Sequence, residues 1–283
     1  MIGRIKKKFL RMLEVQEHIL ISSEKTRSIL IEQFLHEHLY NGAKYADPLR
    51  LNRYERQVFS QYGEDGILEE IFKRIGTTNQ FFIEFGVENG LECNSLFLLM
   101  KNWQGLWIEG SPAHYQQITE RFRSQLWAGT LKAMNAFIKA ENIEQLFMQA
   151  NVPAEPDLLS IDIDGNDYHV WNAINNYRPR VLVMEYNAVF PPGTEFVMKY
   201  NPGHIWDGTS YYGASLSSLE LLCAKKGYQL VGCNFAGVNA FFVRNDLAGD
   251  LFQKPYTADH HYEPARHFLY RKEGHPRGFG ETS

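Results

Sequence analysis

The chain has 283 residues, 44% of them apolar and 22% charged, so it is long enough to bury a sizeable core and is neither fibrous nor disordered in composition. A formal net charge of −4 gives no reason to expect a nucleic-acid partner, and no apolar run approaches a membrane span. Cys93, Cys223 and Cys233 form no C-x-x-C pair, which argues against a disulfide scaffold or structural zinc and for a reducing, cytoplasmic compartment.

Ile2, Ile5, Phe9, Met12, Leu13, Ile19, Leu20, Leu30, Ile31 and Phe34 recur at helical spacing. The first 45 residues therefore read as an amphipathic helical extension of one or two helices. Arg4, Lys6, Lys7, Lys8 and Arg11 precede its first acid, and Glu14, Glu17 and His18 interrupt the apolar stretch that a signal peptide would need. Three uses fit the pattern: packing on its own domain, self-association into a homo-oligomer, and peripheral contact with an anionic membrane. Residues 41–56 read as a polar connection. In Ser60-Gln61-Tyr62-Gly63-Glu64-Asp65-Gly66, ahead of a helical run from Ile67 to Ile75, Ser60 and Asp65 suit helix initiation. The same polar, glycine-spaced segment is placed to fold over a cofactor.

Phe81 to Ser95 is the central motif. An apolar strand turns through Glu84-Phe85-Gly86-Val87-Glu88-Asn89-Gly90 and enters a helix expected from Leu91 to Met100. A strand, a glycine turn and a helix form a nucleotide-cofactor cradle. Glu88 stands where a dinucleotide fingerprint needs its middle glycine, and a carboxylate there repels a pyrophosphate. It suits a cofactor with an amine, a sulfonium and ribose hydroxyls, which favours S-adenosylmethionine (SAM) over NAD or FAD. A second buried strand, Gly105 to Glu109, ends in an acid roughly 20 residues past the turn, the separation at which such folds bind ribose hydroxyls. Pro112 to Ser124 reads as a helix and Leu131 to Ala136 as a third strand, at whose end Asn135 and Phe137 offer an edge and a stacking face for adenine.

Beyond a helix over Glu141 to Ala150, a fourth strand, Asp157 to Ile161, runs into Asp162-Ile163-Asp164-Gly165. Residues two apart on extended chain share a side, so Asp162 and Asp164 converge at the carboxyl edge where open α/β sheets bind ligands. After a helix from Tyr168 to Asn175, a fifth strand, Arg180 to Glu185, ends with Glu185 and Asn187 in the same relation. Four hard oxygen ligands on adjacent strand ends fit Mg2+ or Mn2+; a solvated acidic rim with a helix cap is the alternative. Without a metal, one of these carboxylates is a candidate general base. The segment Phe190 to Gly213 is rich in Tyr, Trp, Gly and Pro and suits a substrate wall, with His204 a candidate base. A helix from Ala214 to Lys226 and two strands, Tyr228 to Cys233 and Val238 to Val243, close the sheet as an antiparallel hairpin. The tail carries His260, His261, His267 and His275 without metal spacing.

These readings give an α/β fold: a doubly wound, mostly parallel seven-stranded sheet, Rossmann-like in the manner of class I methyltransferases. Residues 46–246 form its SAM-binding domain and 247–283 an irregular extension.

From about Ser60 to Val243 the chain resembles the FkbM-like family of SAM-dependent methyltransferases. The family's loop, roughly D-V-G-A-N-x-G, corresponds to Glu84 to Gly90, and its ribose acid to Glu109 in Trp107-Ile108-Glu109-Gly110. Its K-I-D-x-E-G segment corresponds to Ser160-Ile161-Asp162-Ile163-Asp164-Gly165, with Ser for Lys and Asp for Glu. The resemblance implies methyl transfer to a hydroxyl oxygen of a sugar, glycan or secondary metabolite. Gly86, Asn89 and Gly90 would then hold the methionine part of SAM, with Glu84 receiving its ammonium and Gln61, Asp65 and Asp162 approaching the cofactor. Catalysis falls to Asp162, Asp164 and His204, and metal binding to Asp162, Asp164, Glu185 and Asn187. An NAD(P)-dependent oxidoreductase acting on sugars and a non-catalytic assembly protein are the alternatives.

Overall fold

The computed structural model describes residues 2–270, and the side chains of all of these except residues 2–6, 8 and 9. The side chains of Arg4, Lys6 and Lys8, and all of His275, lie outside the described residues. Helix α1 spans Ile2–Leu35 and runs into a wider π turn, His36–Tyr40. It is one helix, because no glycine or proline interrupts the sequence between Gly3 and Gly42. Leu10, Leu13, Ile19, Leu20 and Leu30 are exposed, and among the described side chains of this stretch Ile31, Leu35 and then Leu39 are the buried ones, against Phe235, Val238 and Leu269.

The stretch 41–56 is more than a polar connection. It winds through two 3-10 turns, Ala43–Tyr45 and Leu51–Tyr54, and buries Arg50, Asn52 and Glu55. The Asn52 amide donates to Glu55 Oε1 (2.9 Å) and to the Cys233 carbonyl (2.7 Å), and Phe235 N–H donates to Glu55 (2.8 Å). Buried polar groups must be paired, and this network pairs them across the sheet's far edge.

Helix α2 (Glu64–Ile75) leads to strand β1 (Phe81–Phe85), helix α3 (Leu96–Met100) and strand β2 (Gln104–Glu109). Helices α4 (Pro112–Arg121) and α5 (Arg123–Trp127) replace the single helix expected there. They precede β3 (Leu131–Asn135), α6 (Ile143–Gln149), β4 (Leu158–Ile161), α7 (Asp167–Ala173) and β5 (Val181–Glu185). Helix α8 (Leu216–Lys225) and strands β6 (Tyr228–Cys233) and β7 (Asn239–Arg244) complete the sheet.

The sheet is ordered β3-β2-β1-β4-β5-β7-β6. The first five strands pair in parallel; β7 enters antiparallel between β5 and β6. This is the class I methyltransferase order. Strand side chains alternate between two cores: Phe81, Ile83 and Phe85 face one with Leu159 and Trp171, while Phe82 faces the other with Trp107 and Phe241. Chain direction across the sheet reverses between β1 and β4, and ligands of open α/β sheets bind at such a switch point. Among the described residues, no helix is long and apolar enough to cross a membrane.

Candidate active site

At the switch point the backbone of Gly86 lies against that of Asp162. A Cβ on Gly86 would sit 1.7 Å from the Asp162 carbonyl oxygen, and its φ of +67° is one that side chains rarely adopt. Gly90 (φ +79°) is pressed in turn against the rings of Trp107 and Phe122. The two glycines thus fix the turn to its neighbours. Asn89 accepts a hydrogen bond from Leu91 N–H (3.1 Å) and shapes the turn locally.

The helix expected from Leu91 begins only at Leu96. The cause is Glu84, which is 3% exposed on the Phe82 face of β1. Its carboxylate accepts from the backbone N–H of Asn94 and of Ser95, both at 2.8 Å, and from the Ser95 hydroxyl. Ser95 Oγ also accepts from the Trp107 indole (2.8 Å). Glu84 thus holds the start of α3 with both carboxylate oxygens. Burial raises its pKa, and the hydrogen bonds from Ser95 and Asn94 hold it down against that. Ser95→Ala removes a charge-assisted bond and the indole's acceptor, and should cost about 2 kcal/mol in urea denaturation. Unchanged stability would show the network to be dispensable.

Asp65 is likewise hydrogen-bonded. It is 1% exposed, and its Oδ2 accepts from the N–H groups of Val58, Phe59 and Ser60 and from Ser60 Oγ. Oδ2 ties the loop to the start of α2, while Oδ1 is buried without a hydrogen-bond partner. Gln61 lines a small cavity beside Leu35 and Leu269, on the α1 side.

The ends of β2 and β3 gather Glu109, Gly110, Asn135 and Phe137. Glu109 is buried (6% exposed) and accepts from Ser111 N–H (2.7 Å). Burial raises its pKa, and the backbone of Ser111, the nearby His114 and the backbone of Glu88 act against this. The Asn135 amide donates to the Glu109 carbonyl (2.8 Å), and a Cβ on Gly110 would sit 3.4 Å from the Phe137 ring, which is 42% exposed. A carboxylate, an amide and a half-open aromatic face thus stand together on one side of the β1 turn.

On its other side, Asp162, Asp164 and Glu185 bring one carboxylate oxygen each within 4.8 Å of one another. Among the described residues, no Lys, Arg or His forms an ion pair with any of the three. Burial, then the charge of Asp164, pushes Asp162 well above the usual carboxylate range; burial, then Asp162, does the same to Glu185. Asp164 is raised by burial and by Glu88, with His204 opposing. Asp164 (φ +53°) and Glu88 (φ +49°) both hold left-handed backbone, unusual for residues other than glycine and typical of functional turns. Directly across from Glu185 in register stands Asn239, 4% exposed. Its amide nitrogen donates to Glu64 (3.0 Å), and its Oδ1 is buried without a hydrogen-bond partner.

Asn187, two residues past Glu185, is hydrogen-bonded to the aromatic loop. Its Nδ2 donates to the carbonyls of Ser210 (2.9 Å) and Tyr212 (3.0 Å), and its Oδ1 accepts from Val189 N–H (3.2 Å). It pins the aromatic loop. Asp167, the first residue of α7, ties down the preceding loop by accepting from Ile163 and Gly165 N–H, and burial raises it to about 6. His204 covers Gly165, where an added Cβ would lie 2.4 Å from its ring, and its Nε2 is buried without a partner. The sequence did not mark Glu64, Asn239, Tyr62 or Tyr212 for this site. Burial raises both phenols, followed by the charge of Glu64 and then Glu185 at Tyr62, and of Glu185 and then Asp162 at Tyr212. Glu64 and Tyr62 lie inside the polar segment already singled out and Tyr212 inside the aromatic one; nothing local marks Asn239.

No family model matches the chain, and no curated protein sequence matches it. Solved structures that resemble it include SAM-dependent methyltransferases. TrmK of M. capricolum, in complex with S-adenosylhomocysteine (SAH), is 10% identical over 63% of this chain and 67% of its own, with a TM-score of 0.40. A SAM-dependent methyltransferase from Clostridium acetobutylicum is 12% identical over 75% of this chain and 98% of its own (TM-score 0.40). A candidate caffeoyl-CoA O-methyltransferase from Staphylococcus aureus is 11% identical over 81% of this chain and 99% of its own (TM-score 0.44). At TM-scores below 0.5 these likenesses add nothing to the fold assignment, which rests on the strand order.

Proposed function

We propose that this chain transfers the methyl group of SAM to an oxygen, a hydroxyl of a sugar, glycan or secondary metabolite. The observation that carries the reading is the division of the switch point into two halves. Glu109, Asn135 and Phe137 on one side have the chemistry to take a ribose and an adenine. On the other side, Asp162, Asp164 and Glu185 converge without a cationic partner among the described residues. Bound there, SAM would supply an electrophilic methyl carbon beside a positive sulfur, and Glu88 in the intervening turn suits that charge as it would not suit a pyrophosphate. The FkbM-like motifs support the oxygen acceptor and the glycan or metabolite class.

The triad also fits Mg2+ or Mn2+. Its ligands are hard oxygens, and the partnerless Asn239 Oδ1 beside Glu185 adds a neutral oxygen of the same kind. Asp162, Asp164 and Glu185 would hold the ion, which would lower the pKa of an acceptor hydroxyl. The chain's own part is to align the acceptor oxygen and to receive its proton, with Asp164 or His204 as the base. The aromatic loop, where Phe190 and Phe196 stack at 4.2 Å and Trp206 meets Tyr212 at 6.3 Å, would exclude water and face the acceptor.

Calorimetric titration with SAH, NAD+ and NADP+, each with and without Mg2+, tests the reading. The expected result is micromolar binding of SAH alone. Binding of a dinucleotide instead would overturn the methyltransferase reading in favour of an oxidoreductase.

A further inference from the structure

The later part of α1 meets the last described residues, and Tyr270 reaches Glu92, two residues past Gly90. Glu263, fully buried, anchors the last segment: it accepts from Lys44 (2.7 Å) and the Tyr45 hydroxyl (2.9 Å) and pairs with Arg266 (3.0 Å). Arg266 also donates to the Phe235 carbonyl. Beyond Arg266 the segment is held differently. Arg27, exposed on α1, donates from one guanidinium nitrogen to the carbonyls of Phe268 (3.3 Å) and Tyr270 (3.0 Å). Phe268 packs edge-on to Phe34 of the same helix at 5.4 Å. The Tyr270 hydroxyl then donates to Glu92 Oε2 (2.6 Å), just past Gly90. The Tyr270 ring lies 6.0 Å from that of Tyr62.

Ion pairs to the buried Glu263 hold the base of this segment; beyond it, Leu269 is buried against α1, and the last residue is tied by the bonds of Arg27 and of Tyr270 itself. Hydrogen bonds of an exposed guanidinium to carbonyls compete with water and break easily, and such weakly held segments open locally while the core stays folded. We infer that Arg27, Tyr270 and Glu92 form a clasp over the cofactor turn, which opens for cofactor to enter and leave and which couples α1 to that turn. The inference rests on the SAM reading and deepens it. Tyr270 and Arg27 act as positioning residues for the turn.

Stopped-flow displacement of SAH from the full chain tests the clasp. Arg27→Ala and Tyr270→Phe should each speed SAH dissociation by about fivefold, the effect of one hydrogen bond. The double variant should add little, since either change opens the same clasp. Arg27→Lys, which keeps a donor, should lie between Arg27→Ala and wild type. A purely structural role would lower the melting temperature and leave the dissociation rate alone. Wild-type protein that binds SAH, with both single variants within twofold of it, would overturn the clasp alone. Wild-type protein that binds no SAH would overturn the cofactor reading, and the clasp with it.

Discussion

Replacing Asp164 and Glu185 together with alanine is expected to lower methyl transfer by about 10³-fold, the scale of a lost general base or its equivalent. SAH affinity should stay within a few fold. The two effects separate because the residues lie on one side of the β1 turn and the candidate adenosine-binding group, Glu109 with Asn135 and Phe137, on the other. The substitutions also relieve rather than create strain in charge: each carboxylate raises the pKa of a neighbour, and none has a basic partner among the described residues to leave behind. The folded state should therefore tolerate their loss. Transfer of label from tritiated SAM to a small-molecule extract, with SAH calorimetry alongside, measures both quantities. Full transfer by the double variant would sink the assignment of the triad; loss of SAH binding in step with transfer would place the triad in cofactor binding.

The second large effect concerns pH and divalent cations. Asp162, Asp164 and Glu185 have folded pKa values raised above those of the unfolded chain. Over that window the folded state binds more protons than the unfolded one. Stability without metal should therefore be fullest below about pH 4 to 4.5 as far as these groups decide it, and fall as pH rises through the raised values. Burial raises Glu55, Glu64 and Asp167 too, and they contribute to the same slope. A cation at the triad replaces protons and so binds better at higher pH. Mn2+ at a hundredfold excess over its Kd should add about 2.7 kcal/mol, and more of this should appear at about pH 8 than at about pH 6. Thermal melts in EDTA and in MnCl2 across that range measure the difference, in which the other buried acids cancel. A gain that ignores pH, or no gain at the upper end, would count against a cation at this site.

Much of this architecture is legible in the sequence because it depends on local pattern. Short apolar runs bounded by turn residues place every strand within a residue or two, and the acid that closes β2 marks one half of the site. Asp162, Asp164 and Glu185 can be brought together on paper because strand ends of a parallel sheet share one edge. The hydrogen bonds of Glu84 cannot be read that way: its partners, Asn94 and Ser95, become visible only once the chain folds back past Trp107. The late start of α3 has the same cause. The bonds of Asn187 to the loop carbonyls of Ser210 and Tyr212 are equally invisible in its spacing from Glu185. Arg27 and Tyr270 are 243 residues apart, and no periodicity connects them.

The position of β7 between β5 and β6 also bears on how the chain can be made. During vectorial synthesis the ribosome delivers β5 and then β6, but the strand that joins them comes last. Until Arg244 has left the exit tunnel, the outer edge of Val181–Glu185 has no hydrogen-bonding neighbour, although its parallel pairing with β4 can already form. An unpaired apolar edge is a template for wrong pairing. A ribosome paused with Val181–Glu185 outside the tunnel and Asn239–Arg244 still within it would hold the nascent chain with that edge exposed.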